Sequence, residues 1–208
     1  MIMAEIKKEE SARPDSGRAL LSCTEKTCRC TPFWRGIKVP PFKAQIIFWP
    51  LLVLGLVLDL WSKKAVFDFL EHQPHNRYSI IEGFLQLVTA LNDGSAFGLF
   101  SGRSYFLGAI SIIALLAIIA VFLFSGSERR LVHVALGLFA AGVCGNLYDR
   151  LFNNGGAVRD FIDVVYWPGK HWPAFNVADS LLCVGVGLMI ITCIFTDKSP
   201  QGHARQHK

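Results

Sequence analysis

Four long apolar segments alternate with polar stretches along the chain. They read AQIIFWPLLVLGLVLDLW (44–61), SYFLGAISIIALLAIIAVFLF (104–124), LVHVALGLFAAGVCGNLYD (131–149) and NVADSLLCVGVGLMIITCIF (176–195). As a helix rising 1.5 Å per residue, the second spans about 30 Å of hydrocarbon. A backbone in lipid must satisfy its own hydrogen bonds, so the pattern predicts four transmembrane helices. We place them at about 44–62, 104–124, 131–149 and 176–196.

The polar segments between the helices have a different texture. Residues 77–100 are rich in β-branched and aromatic side chains and are interrupted by Gly83 and by the turn signal Asn92-Asp93-Gly94. This texture predicts two or three short strands. The stretch VRDFIDVVYWP is also typical of a strand, or of a short re-entrant element. We therefore expect an all-α membrane protein whose four transmembrane helices carry a small β-cradle at one face.

Composition supports the membrane class. The chain is 52% apolar and 18% charged, with a mean hydropathy of +0.38. The net charge of +5 comes from residues that flank the apolar segments, in the first 43 positions, at Arg129-Arg130 and in the last residues from Lys198. Because these segments lack interleaved basic and aromatic residues, we expect no nucleic-acid partner.

The same basic residues predict the topology. With an even number of spans, both termini and the Arg129-Arg130 loop lie on one side, which the positive-inside rule makes cytoplasmic. Residues 65–103 and 150–175 then face the periplasm. The polar residues 1–43 are expected to form a disordered cytoplasmic tail, residues 44–196 the membrane domain, and 197–208 a second cytoplasmic tail. No cleavable signal peptide is visible.

Cysteines add little chemistry. Cys144, Cys183 and Cys193 lie in apolar segments, where cysteine usually acts as a small hydrophobe. The cluster CTEKTCRC (23–30) lacks a histidine or a second cysteine pair at ligand spacing. We expect no metal and no cofactor.

Several polar residues gather near the outer ends of the predicted helices. Asp59 and Lys63 are spaced i, i+4 and could form a helix-end ion pair, or could support other polar groups. Asn92 fits a hairpin turn and could also offer its amide to a peptide backbone. In GNLYDR, Asp149 and Arg150 are expected to lie in water and to pair with each other.

Asn146 lies deeper in the third helix than Arg150, so its amide needs hydrogen-bond partners. Asn176 could cap the fourth helix, and Asp179 in its first turn would suit the helix dipole. Alternatively, both side chains could face a polar site.

The carboxylates near this face suggest a reaction. Strand alternation places Asp160 and Asp163 on opposite faces, which favours Asp160 with Asp179 as a working pair without excluding other pairs. Two carboxylates in one site cannot easily both ionise. The ionised one could activate water while the protonated one polarises a carbonyl, as amide hydrolysis requires. The sequence shows no Ser-His-Asp set and no HExxH zinc motif.

Five segments together resemble the lipoprotein signal peptidases, also called signal peptidase II. They are DLWSK (59–63), NDGSAF (92–97), GNLYDR (145–150), VRDFID (158–163) and FNVAD (175–179), in order across the four predicted helices. The resemblance covers roughly residues 45–196.

The resemblance implies a bacterial inner-membrane aspartic endopeptidase that cleaves diacylglyceryl-modified prolipoproteins just before the lipidated cysteine, near the periplasmic face. Its partners would be that substrate, membrane lipid and the inhibitor globomycin, and it would need no metal. The oligomeric state is not implied. Carried over to this chain, the catalytic pair is Asp160 and Asp179, with Asp59 and Lys63 in support. The substrate site would be lined by Asn92, Gly94, Asn146, Arg150 and Asn176.

Two alternatives belong to other classes. A non-enzymatic four-span binding or transport subunit would spread polar residues along its helices, whereas here they cluster at one interface. Another type of intramembrane aspartic protease would need acids deep within its spans, in sequence contexts that this chain lacks.

Overall fold

The computed structural model describes residues 40–94 and 100–195. Within these ranges four helices are long and apolar enough to cross a membrane. They are α1 (Phe42–Glu71), α2 (Ser104–Phe124), α3 (Arg130–Phe152) and α4 (Val177–Ile194). The predicted fold class is confirmed. The expected tails, residues 1–43 and 197–208, lie outside the described residues apart from 40–43.

The first helix is longer than the sequence pattern predicts. We expected the span to end near Ser62-Lys63-Lys64 and an outer segment to begin at residue 65, but α1 continues to Glu71. Lys63 does not end the helix because it is fully buried and paired with Asp59 one turn earlier. The last turns of α1 carry this helix towards the sheet.

The sheet is small and antiparallel. Its strands are β1 (Arg77–Ile81), β2 (Leu85–Asn92), β3 (Val158–Trp167) and β4 (Lys170–His171), paired in the order β1-β2-β3-β4. Gly83 supplies the positive φ of +71° needed in the turn between β1 and β2. Two strands therefore form within the predicted strand region 77–100, of which residues 95–99 lie outside the described part.

The pairing of β2 with β3 is interrupted by a bulge. Leu87 pairs with Ile162, but the next pair is Ala90 with Asp160, so β2 carries one extra residue there. Beyond the bulge Asn92 pairs with Val158. In an antiparallel ladder this register puts Asn92 diagonally next to Asp160 on one face.

The third helix lies at the centre of the bundle. Its buried residues include His133, Leu136, Ala140 and Val143, whereas most residues of the other three helices are exposed or only partly buried, as expected in lipid. An apolar core of α1, α2 and α3 side chains contains Phe48 stacked on Phe122, with ring centroids 4.1 Å apart.

Glycines of α3 allow close helix approach. A Cβ atom added at Gly142 would lie 2.5 Å from the Ala178 carbonyl oxygen of α4. One added at Gly145 would collide with the Asp59 carboxylate of α1. Both glycines therefore bring the N-terminal end of α4 and the later part of α1 against α3.

Candidate active site

Asp160 lies on β3 and accepts hydrogen bonds from two amides. Its Oδ1 accepts from Asn176 Nδ2 at 2.6 Å, and its Oδ2 accepts from Asn92 Nδ2 at 3.0 Å. The side chain is only 2% exposed. The bulge in β2 explains the second bond, because it sets the diagonal register of Asn92 and Asp160.

Asp179 lies in the first turn of α4. Its Oδ1 accepts from Asn146 Nδ2 at 2.7 Å, and its Oδ2 accepts from the backbone N–H of Asn176 at 3.2 Å. In return, the backbone N–H of Asp179 donates to Asn176 Oδ1 at 3.0 Å. The last two bonds form a capping box, so the sequence-based expectation that Asn176 caps the helix agrees with the geometry.

Asn176 links the two aspartates. Its side-chain oxygen caps α4 next to Asp179, while its side-chain nitrogen donates to Asp160. The backbone around it is fixed by Phe175, which exchanges hydrogen bonds with Ile162 of β3 at 2.8 and 3.0 Å. This bridge holds the start of α4 against the strand that carries Asp160.

Asn146 has the partners that its depth in α3 requires. Its Nδ2 donates to Asp179, and its Oδ1 accepts from Lys63 Nζ at 3.2 Å and from Asn176 Nδ2 at 3.1 Å. A lysine ammonium can only donate, so its contact fixes which end of the Asn146 amide faces Asp179.

The two aspartates are close enough for their charges to interact. The pKa of Asp160 is raised from 3.8 to about 6, first because burial disfavours the charged carboxylate, and also because of the negative charge of Asp179. The hydrogen bonds from Asn92 and Asn176 and the positive charge of Lys63 act in the opposite direction. Asp160 is therefore a carboxyl group that can hold a proton close to neutral pH.

Asp59 and Lys63 form the i, i+4 ion pair that the sequence suggests, at 2.7 Å, and both side chains are fully buried. They also reach beyond α1, since Asp59 Oδ1 accepts from the backbone N–H of Ala178 at 2.8 Å and Lys63 donates to Asn146. Of the two readings left open by the sequence, the geometry favours support of other polar groups over a simple helix-end pair.

Asn92 and Arg150 are only partly buried, and both contact the backbone of the buried Gly94. Asn92 Oδ1 accepts from the backbone N–H of Gly94 at 3.0 Å, which holds the turn that follows β2. The Arg150 guanidinium donates to the Gly94 and Asn146 carbonyl oxygens, both at 3.4 Å. Arg150 thus brings a positive charge to the end of α3 that faces this turn.

Asp149 was expected in water and paired with Arg150, and this expectation is wrong. Its side chain is fully buried and binds Arg159 Nη2 at 2.7 Å and Lys63 Nζ at 3.1 Å. Sequence reasoning also passed over Arg159. Helical spacing could have indicated that Asp149 is buried. Gly142, Asn146 and Asp149 share one face of α3, so Asp149 points inward with Asn146.

Asp163 is separate from this cluster, on the other face of β3. It is buried, and its carboxylate meets His171 Nδ1 of β4 at 2.9 and 3.0 Å. The structure therefore gives Asp163 a role in holding the β3–β4 hairpin. In the described ranges, no group of three or more His, Cys, Asp or Glu side chains is arranged to hold a metal ion.

The comparisons with known proteins identify a family. Residues 51–195, which contain all the candidate site residues, match a family model described as Signal peptidase (SPase) II. The chain belongs to the signal peptidase II family. It is therefore a peptidase with several membrane-spanning helices, as its fold also indicates.

Relatives of known name extend the match over most of the chain. A lipoprotein signal peptidase of Rhodopirellula baltica is 37% identical over 179 residues, which cover 79% of this chain and 78% of the relative. A lipoprotein signal peptidase of Geobacter metallireducens is 38% identical over 151 residues, which cover 71% and 90%.

Two solved structures share the fold. Both are described as bacterial membrane enzyme structures obtained by the in meso method, at 2.3 and 1.9 Å resolution. The first has a TM-score of 0.66 and 30% identity, with 80% of this chain and 98% of that chain covered. The second has a TM-score of 0.61 and 29% identity, with 79% and 99% covered. The arrangement of helices and sheet is therefore that of known bacterial membrane enzymes.

Proposed function

We propose that this chain is a membrane aspartic endopeptidase that removes the signal peptide from diacylglyceryl-modified prolipoproteins, cutting just before the lipidated cysteine. The family match and the relatives named lipoprotein signal peptidase support the reaction. The observation that carries the aspartic mechanism is the pair Asp160 and Asp179, which interact electrostatically and are bridged by Asn176. A four-span binding or transport subunit is not favoured by these relatives.

The two carboxyl groups divide the chemistry between them. The ionised one takes a proton from a water molecule, whose oxygen attacks the scissile carbonyl carbon. The protonated one donates a hydrogen bond to the carbonyl oxygen and stabilises the charge that develops there. The C–N bond then breaks, and the carboxyl group that took the proton from water gives it to the leaving amine nitrogen. Asp160 is the better candidate for the protonated partner, because burial raises its pKa to about 6. Asp179, fixed by Asn146 and the capping box, then acts as the base.

The surrounding polar groups suggest separate roles. Asn146 and Asn176 are buried and already donate to the aspartates, which supports a role in orienting them. Asn92 and Arg150 are only partly buried, and they hold the Gly94 turn between them. We assign to them the contacts with the substrate backbone, with Arg150 offering donors to peptide carbonyl oxygens.

The position of the site suits a lipidated substrate. The site is built from the later part of α1, the end of α3, the start of α4 and the sheet, so it lies at one end of the helical bundle. Acyl chains stay in the bilayer at about 0.8 kcal/mol per buried methylene, while the peptide bond reaches headgroup depth. We place this end at the periplasmic face of the inner membrane, with both termini cytoplasmic. A globomycin-type cyclic peptide would compete for the same site.

Cleavage of a purified, diacylglyceryl-modified prolipoprotein tests the proposal. We compare the wild type with Asp160→Asn and Asp179→Asn, and expect each variant to lose on the order of 10²–10⁴-fold in kcat, the usual contribution of general acid–base catalysis. Asp163→Asn is the matched control, since this buried acid of the same strand binds His171 and should retain most activity. Near-wild-type turnover by either site variant would refute the dyad, and an inactive wild type would refute the reaction.

A further inference from the structure

A continuous set of buried ion pairs lies behind the two aspartates. Arg159 binds Asp149 through Nη2 at 2.7 Å and Nε at 3.1 Å, and Asp149 binds Lys63 at 3.1 Å. Lys63 binds Asp59 at 2.7 Å, and Asp59 accepts from the Ala178 backbone N–H at 2.8 Å. We name the four side chains of Asp59, Lys63, Asp149 and Arg159 the ionic frame.

Each end of the ionic frame is attached to the residue that precedes an aspartate of the site. Arg159, which comes directly before Asp160, also donates its backbone N–H to Asp149 Oδ2 at 3.0 Å. At the other end, Asp59 holds the backbone N–H of Ala178, directly before Asp179. The frame therefore connects the backbone of β3 with that of α4 immediately beside both carboxylates.

The composition and burial of the ionic frame make it stiff. It contains two acids and two bases, and three of its side chains are fully buried while Arg159 is 21% exposed. Arginine binds Asp149 through two nitrogens of a planar group, which fixes direction as well as distance. Breaking such a pair leaves a buried charge without a partner, so other arrangements are strongly disfavoured.

A branch of the ionic frame also reaches the aspartates by side chains. Lys63 donates to Asn146 Oδ1, which turns the Asn146 Nδ2 group towards Asp179. The same oxygen of Asn146 accepts from Asn176, whose Nδ2 also donates to Asp160. The ionic frame therefore holds the backbone next to both aspartates, and it also orients the side-chain amides that donate to them.

We infer that the ionic frame sets the separation of Asp160 and Asp179, with Asp149 and Arg159 as positioning residues of the reaction. The inference rests on the proposed aspartic mechanism. Neither residue needs to touch substrate, because Asp149 is buried and Arg159 reaches the site through its neighbour in the chain. Small changes in the placement of reacting groups cost on the order of 10²-fold in rate. Loss of the ionic frame can therefore lower the rate as much as loss of a side chain that contacts the substrate.

The test is the kinetics of Arg159→Met on a diacylglyceryl-modified prolipoprotein in detergent micelles. The variant removes the guanidinium but keeps the backbone N–H bond to Asp149. We expect kcat per folded enzyme to fall by about 10–100-fold, with KM changed by less than about threefold, because positioning acts on the transition state. Arg159→Lys should recover part of the loss, since it restores the charge without the paired geometry.

Lys64→Met is the matched control. Lys64 forms an ion pair with Asp68 at 2.9 Å on the same helix as Lys63, with side chains 73% and 60% exposed, and should leave kcat unchanged. A wild-type kcat in Arg159→Met, or a loss that only follows the unfolded fraction, would overturn the inference. If Arg159→Met does not fold, Arg159→Lys is measured in its place, and a wild-type kcat of that variant would overturn the inference. Full activity of Asp160→Asn would instead overturn the proposed mechanism.

Discussion

Burial gives Asp160 a recognisable pH signature. Its pKa is raised from 3.8 to about 6, so the folded protein holds this proton more tightly than the unfolded chain does. Its contribution to stability is therefore present at low pH and lost as pH rises from about 4 through 6. The pKa difference corresponds to a loss of about 2 kcal/mol between pH 4 and pH 7.

Asp160→Asn removes this titration, which gives the first prediction. The Tm of the wild type minus that of the variant, measured in micelles at several pH values, should decrease between pH 4 and pH 7. Other titrating groups are common to both proteins and cancel in the difference. Parallel Tm curves would contradict the raised pKa of Asp160 in the folded state.

Substitutions of Asn176 separate its two roles. Ser and Asp can both accept the hydrogen bond of a helix cap, but neither offers the amide donor that Asn176 gives to Asp160. We expect Asn176→Ser to be more stable than Asn176→Ala, because it keeps the cap, and to lose on the order of 10-fold or more in kcat. Asn176→Ala should lose activity and also about 1 kcal/mol of stability. A fully active Asn176→Ser would leave the residue with capping alone.

Sequence reasoning misplaced Asp149 because its partner Arg159 lies ten residues away, beyond the end of α3. The partner of Asp163, His171, likewise lies across a hairpin. Spacing within one helix or strand reveals i, i+4 partners such as Asp59 and Lys63, but it cannot reveal partners that meet only after the chain turns.

At the scale of elements, the approach of helices α1, α3 and α4 depends on glycine. A Cβ atom at Gly145 would collide with the Asp59 carboxylate, whereas one at Gly187 of α4 meets nothing within 4 Å. We expect Gly145→Ala to lower the free energy of unfolding by about 1–3 kcal/mol and to reduce kcat by displacing Asp59. Gly187→Ala is the control and should be nearly neutral in both measurements. Equal effects of the two substitutions would contradict this account of the packing.

Element boundaries were predicted less well than element types. The apolar pattern located four helices, but the buried Lys63 made α1 seem to end about two turns too early. The bulge in β2 left no sequence signal, because Val88 and Thr89 are ordinary strand residues. The bulge depends on the register with β3, a pairing between segments about seventy residues apart.

At the scale of the molecule, the ends of all helices that bear site residues converge on the sheet. The later part of α1, the end of α3 and the start of α4 meet β2 and β3 there. The sequence predicts this gathering because four spans alternate in direction, which puts the polar residues at matching ends. The sheet and the ionic frame then fix distances that topology alone leaves open.

The same alternation predicts which side of the membrane the site faces. Glu128, in the loop between α2 and α3, and Lys170, at the β3–β4 turn, are both exposed and lie at opposite ends of the bundle. We introduce Glu128→Cys or Lys170→Cys into a chain whose native cysteines are replaced by serine. In intact cells with a permeabilised outer membrane, an impermeant thiol reagent should label Lys170→Cys and should label Glu128→Cys only after the inner membrane is opened.

Since the positive-inside rule orients the chain by the basic residues of its cytoplasmic segments, the reverse labelling would place the site in the cytoplasm. Such an orientation would also contradict the proposed cleavage at the periplasmic face.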